Sequence, residues 1–159
     1  MSVAQTAFHW LRVQLFCYAT ERQELLGETM AELLGTDEFE AEVSEGEHGN
    51  TMLILEGRLT KQREYVALFS RLPKEIIDWL DEDMENRVDE DCVFYMRLDK
   101  QKAVQGIYEI AHHGDVIAIT GKVQSHPARQ EIAVKSMRDF LAIVRERSEV
   151  TPPEQSPSL

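Results

Sequence analysis

Arg97, Lys100, Gln101 and Lys102 fall within one six-residue stretch, directly behind the apolar run Cys92-Val93-Phe94-Tyr95-Met96. An arginine and two lysines can neutralise phosphates, and a glutamine amide can hydrogen-bond a base or ribose edge. Polar groups are costly at the end of a buried strand unless they are paired or used. The competing reading is structural: Arg97 pairs with an acid across a sheet, and Asp99 caps a turn. A second packet, Glu45-Gly46-Glu47-His48-Gly49-Asn50, has two glycines and an asparagine that tolerate positive φ, so it reads as a tight hairpin tip. The turn needs Gly and Asn50 but does not need His48. An imidazole flanked by small residues could stack on a base or bind a phosphate; the bland alternative is a solvated tip.

Other chemistry is poorly supplied. His112, His113, Asp115 and His126 are metal-capable, but adjacent histidines on a strand point to opposite faces and no partner completes a ligand spacing. No metal or cofactor is therefore expected. Glu75, Asp78, Asp81, Glu82, Asp83 and Glu85 are dense, yet helical spacing spreads them around a helix as a solvated face rather than a catalytic dyad. GxSxG, P-loop and GxGxxG patterns are missing, so the chain does not read as an enzyme. Trp10, Phe16 and Tyr18 share one parity of a strand with Arg12 and Gln14. Aromatics interleaved with arginine on an open sheet can stack bases; the same residues lying under a helix is the commoner arrangement and the one expected here.

A chain of 159 residues with net charge −12 fits one globular domain, assigned to 1–147, with a disordered tail over 148–159. That charge argues against whole-surface nucleic-acid binding. It is uneven: residues 96–147 hold nine Lys and Arg against six Asp and Glu, and residues 1–95 hold eight against 21. A local basic patch on an acidic body is compatible with this. No apolar run is long enough for a membrane helix. Met1 to Gln5 show no secretory signal, so the cytoplasm is the expected location. Cys17 and Cys92 sit in apolar runs and read as reduced core thiols.

Several elements must position these residues. Residues 10–18 alternate as a strand. Thr20 and Gln23 read as a capping box for a helix carrying Leu26, Met30, Leu33 and Leu34, which Gly35 closes. Strands are predicted over 39–43 and 51–59, then helices carrying Tyr65, Phe69 and Leu72 and, after a break at Pro73, Ile76, Ile77, Leu80 and Met84. Strands over 92–98, 105–111 and 116–123 and a C-terminal helix over 128–145 complete the order, with a short turn of helix after Asp99. This is α+β: a mostly antiparallel sheet with helices packed on one face.

Ala19-Thr20-Glu21, the Glu45-Gly46-x-His48-Gly49-Asn50 packet, Arg87-Val88-Asp89-Glu90, Phe94-Tyr95-x-Arg97-Leu98-Asp99-Lys100-Gln101 and Gly114-Asp115-x-Ile117 occur in this order. Together they resemble an archaeal RNA-binding family described as a predicted exosome subunit and similar in fold to the ribosomal L-five protein, which binds 5S ribosomal RNA. The likeness spans residues 8–143. In that family a proline often follows the Gly-Asn pair; Thr51 stands here. The resemblance implies a ribosomal L-five-like fold and a non-catalytic RNA-binding accessory protein associated with RNA processing or the exosome. The residues matching its motifs are His48, Asn50, Arg97, Asp99, Lys100 and Gln101. With Lys102 added for its charge, Arg97, Lys100 and Lys102 are expected on the RNA backbone and Gln101, His48 and Asn50 as polar contacts, with Asp99 ordering the Lys100 turn. The alternative is an acidic interaction module, centred on 78–91, that docks on a basic partner without touching RNA. A homodimer through the strand at 39–43 is a further option.

Overall fold

A computed structural model describes residues 6–45, 49 and 51–150. His48, Asn50 and the tail from 151 lie outside the described residues. Five antiparallel strands form one sheet in the order β2-β3-β1-β5-β4. They are β1 (Phe8–Tyr18), β2 (Glu40–Glu45), β3 (Thr51–Leu59), β4 (Val93–Asp99) and β5 (Val116–Val123). The helices are α1 (Gln23–Leu34), α2 (Gln62–Ser70), α3 (Lys74–Glu82), the short α4 (Met84–Arg87), α5 (Lys100–Val104) and α6 (Gln130–Val150). The fold is α+β, as the element order predicts.

The pleat decides which face is covered. Leu11, Val13, Leu15 and Cys17 of β1, Leu55 and Leu59 of β3, Phe94, Met96 and Leu98 of β4, and Ile117 and Ile119 of β5 are buried. The opposite parity on β1 is Trp10, Arg12, Gln14, Phe16 and Tyr18, and none of these is buried. Phe8 belongs by parity to the open face, yet it is fully buried. The register with β5 slips between Phe8 and Trp10, so the bulge at His9 turns Phe8 inward.

The helices stop and start for local reasons. Leu26, Met30, Leu33 and Leu34 put one stripe of α1 into the core. Gly35 ends it in the left-handed region at φ 81°, its N–H donating to the Ala31 carbonyl, while Arg71 Nη1 donates to the Leu33 carbonyl at 3.0 Å. The Thr20 capping box does not form: α1 starts only at Gln23 with Arg22 at the cap position and no side-chain bond, and Thr20 lies in the preceding turn, closed by Glu21 N–H donating to the Tyr18 carbonyl. Pro73 separates α2 from α3 as its missing N–H requires. Gly57 of β3 lies under Leu34 of α1, so close that a Cβ there would overlap the leucine side chain.

The predicted strand over 105–111 is not one. Gly106, at φ 85°, turns the chain after α5, and the segment touches β4 only through the Leu98–Ile110 bridge, with Asp99 N–H donating to Glu109 and Ala111 N–H to Arg97. The acidic α3 is also less solvated than its composition suggests. Asp78 and Asp81 pair with Arg145 of α6 at 2.6 and 2.8 Å, and Arg138 Nε donates to the Asp81 carbonyl.

At the centre, Phe8 meets Tyr65 edge-on at 5.1 Å and Phe140 at 5.7 Å, and Phe69 meets Phe140 at 5.1 Å. Tyr65 donates to the Phe8 carbonyl, and burial pushes its hydroxyl up to about 12. Phe8→Ala is expected to lower the unfolding free energy by about 3–5 kcal/mol. Phe16→Ala, on the open face, is expected to change it by less than about 1 kcal/mol. Urea titration of the two variants checks the contrast.

Candidate nucleic-acid interface

The 97–102 stretch divides into a buried half and an exposed half. Lys100 was expected to meet phosphate from the surface, but its side chain is fully buried. Its ammonium donates to the Phe16 carbonyl at 2.5 Å and to Glu21 Oε1 at 2.8 Å, and lies 3.0 Å from Asp115 Oδ1. These three partners match its three donors, so no N–H remains for a ligand. The ammonium also sits 4.8 Å from the centroid of the Tyr18 ring. Gln101 is exposed, but its Nε2 donates to Glu21 Oε2 at 3.0 Å and to Asp115 Oδ2 at 2.9 Å. Both amide protons therefore serve the same bracket, which joins the end of β1 to α5 and to the start of β5. Burial opposes ionisation of Glu21, yet the Lys100, Tyr18 and Gln101 donors hold its carboxyl below the usual range. Asp99 caps α5 by accepting from Lys102 N–H at 2.9 Å, as the sequence suggests.

Arg97 and Lys102 point outward. Lys102 is exposed and holds Glu109 only loosely, at 3.4 Å. Arg97 is exposed on the open face, opposite Ala118 of β5, and has no carboxylate partner among the described residues.

The open face itself carries what the sequence reading set aside. Trp10, Arg12, Gln14, Phe16 and Tyr18 run down its middle on β1. Arg58 of β3 stands opposite Arg12, and Ile54 and Met52 stand opposite Phe16 and Tyr18. On the far side Tyr95 is paired with Thr120, which is itself paired with Arg12. Phe16, Tyr18 and Tyr95 are 37%, 42% and 41% exposed, large values for aromatics on a sheet. The guanidinia of Arg12 and Arg58 both lie over Trp10. Burial and the Asp89 carboxylate push the Tyr95 hydroxyl up, with Arg12 opposing. Asp89 is in turn held low, against its own burial, by the N–H groups of Val93 and Asp91.

The sequence matches, over residues 10–123, the model of a family described as RNA binding. The chain belongs to this RNA-binding family. It is 33% identical over 143 residues to an RNA-binding protein of Pyrococcus abyssi, a match covering 84% of this chain and 93% of that protein. Among solved structures, it is 33% identical to a DUF54 protein from Methanothermobacter thermautotrophicus, with TM-score 0.71 and coverage of 85% and 98%. For a DUF54 protein from Archaeoglobus fulgidus the values are 32%, 0.70, 84% and 99%. The family match begins at Trp10 and closes at Val123, the last residue of β5, so it takes in almost the whole sheet and leaves out α6.

Among the described residues of this family member, no His, Cys, Asp and Glu cluster has metal-binding geometry, and no helix is long and apolar enough to cross a membrane. Cys17 and Cys92 are free and buried, and burial pushes the Cys17 thiol up. The carboxylates proposed for docking on a basic partner are partly used internally: Asp78 and Asp81 by α6, and Asp83 by Arg87 at 3.1 Å. The signal for the open face was the shared parity of three aromatics, Arg12 and Gln14 in 10–18; the missing information was that no helix covers them.

Lys100→Met is expected to lower the unfolding free energy by about 3–5 kcal/mol at pH 7, because it strands two carboxylates around an apolar stem. Since Glu21 titrates below its ordinary 4.5 when folded, the stability it shares with Lys100 is present above that value and lost as pH falls through the lower folded value. Urea titrations at pH 7 and at descending acidic pH check this; the gap between wild type and variant is expected to narrow with acid.

Proposed function

We propose that the chain binds single-stranded RNA on its open sheet face, without catalysis. Bases stack on Phe16, Tyr18 and Tyr95, and phosphates meet Arg12, Arg58 and Arg97. The observation that carries this reading is that, among the described residues, aromatics and arginines outside any ion pair share the sheet face left uncovered by helices. An exposed ring is a platform for an unstacked base and has little to offer a duplex, whose bases are already stacked. Lys102 keeps its expected role as a rim contact. Lys100, Gln101 and Asp99 act from behind, fixing the end of β1 that presents Phe16 and Tyr18. His48 and Asn50 are candidate contacts on the resemblance alone.

The cytoplasmic accessory role beside an RNA-processing assembly such as the exosome, and the kinship with the ribosomal L-five fold, rest on the same resemblance. Co-purification of exosome subunits with the tagged protein tests the former.

Fluorescence anisotropy with single- and double-stranded RNA tests the binding itself. Single strands are expected to bind more tightly. The slope of log K against log salt is expected to be about −2, since three arginines release few counterions. A Phe16→Ala/Tyr18→Ala double change is expected to weaken binding at least tenfold, from stacking worth about 1–3 kcal/mol per base. Failure of any RNA to bind at low salt, or an unaltered affinity in the double variant, would remove the sheet face from RNA recognition.

A further inference from the structure

Arg12 and Arg58 are direct partners across β1 and β3, so their side chains leave the sheet side by side. Their guanidinia lie 5.8 and 5.1 Å from the centroid of the same Trp10 ring. Like charges directly opposite one another destabilise a sheet, and attraction to one indole offsets that only in part. Neither arginine is in an ion pair among the described residues. A phosphodiester brings a single negative charge to such a pair. A terminal phosphate monoester brings roughly 1.5–2 at pH 7, with three acceptor oxygens suited to guanidinium forks.

The surroundings of Arg58 limit where a strand of RNA can go. Toward the β2 edge, Arg58 forms one wall of a cleft of about 450 Å³ whose other walls are Glu38, Phe39, Glu40 and Glu56. Glu56 accepts from Gln14 Nε2 at 3.1 Å, Glu40 stands opposite it on β2, and Glu42 follows on the same face. A phosphodiester chain continuing past Arg58 would cross these carboxylates. On the other side of Trp10, Lys122 is committed to the Asp91 carbonyl at 2.5 Å. The cationic pair thus lies at one end of a track, with Phe16 and Tyr18 at its other end. Arg12 and Tyr18 are six residues apart, roughly 20 Å along the strand.

We propose that Arg12 and Arg58, backed by Trp10, clamp the terminal phosphate of an RNA end. This rests on the RNA-binding reading above and narrows its substrate to a strand with a free, phosphorylated end. The strand lies over Phe16 and Tyr18 and stops at β2.

The test is an anisotropy titration of one short single-stranded RNA prepared with a 5′-phosphate, with a 3′-phosphate and with neither. One phosphorylated form is expected to bind at least tenfold more tightly than the unphosphorylated RNA. Arg12→Gln and Arg58→Gln are each expected to erase that advantage. Phe16→Ala is expected to weaken all three forms and to preserve their ratio. Equal affinity for the three forms, or an advantage that survives both arginine changes, overturns the clamp while the RNA-binding reading stands. Binding of none of the three overturns both.

Discussion

The pleat of β1 divides the molecule. Its buried parity, Leu11, Val13, Leu15 and Cys17, anchors the helical layer, and its exposed parity, Trp10, Arg12, Gln14, Phe16 and Tyr18, forms the spine of the open face. Because β1 is the central strand, hydrogen-bonded on both sides, its twist and register are fixed by β3 and β5 together. A strand so constrained can display apolar rings to water without relying on those rings for its own stability. The Lys100 bracket adds a second constraint where β1 ends. A fully desolvated ammonium needs a complete set of acceptors, and the ones it finds belong to β1, the turn after it and the start of β5.

Much of this was legible in the sequence because alternation and helical spacing are local signals. The five strands, the break at Pro73, the Gly35 stop and the Asp99 cap all follow from residue types at short range. What failed was non-local. Glu21 reads as part of a helix entry, yet its carboxylate is recruited by Lys100, 79 positions away. The 105–111 segment has strand-like composition but no full ladder to join, since β4 meets it at a single bridge. His9 gives no hint of a bulge, which only the pairing with β5 reveals. The open face is the sharpest case. Parity assigned Trp10, Phe16 and Tyr18 to one side, and only the placement of the helices decides whether that side is core or surface.

Charge follows the same division. An overall −12 gives the body a repulsive field for polyanions. Among the described residues, seven of its 17 Lys and Arg are tied to carboxylates: Arg145 and Arg138 of α6 to α3, Lys100 inside the bracket, Lys74, Arg87 and Lys135 close along the chain, and Lys102 loosely to Glu109. Arg12, Arg58 and Arg97 are among the cations outside these pairs, and they stand together on one face. Stacking is less sensitive to ionic strength than a broad basic surface, so a few arginines among aromatics suit a protein whose long-range field is unfavourable.

The two margins of the sheet are protected by different means. β4 is shielded by backbone, through the bridges to Val88 and Ile110, whereas among the described residues β2 is guarded by the glutamates at 40, 42 and 45. Between them Val43 is 68% exposed on that unpaired margin. Backbone shielding is indifferent to salt, but charge guarding fades as the Debye length shrinks. Self-association of this chain in concentrated electrolyte would therefore be one-sided: β2 would meet β2 of a second copy and stop at two chains, because the β4 margin stays closed.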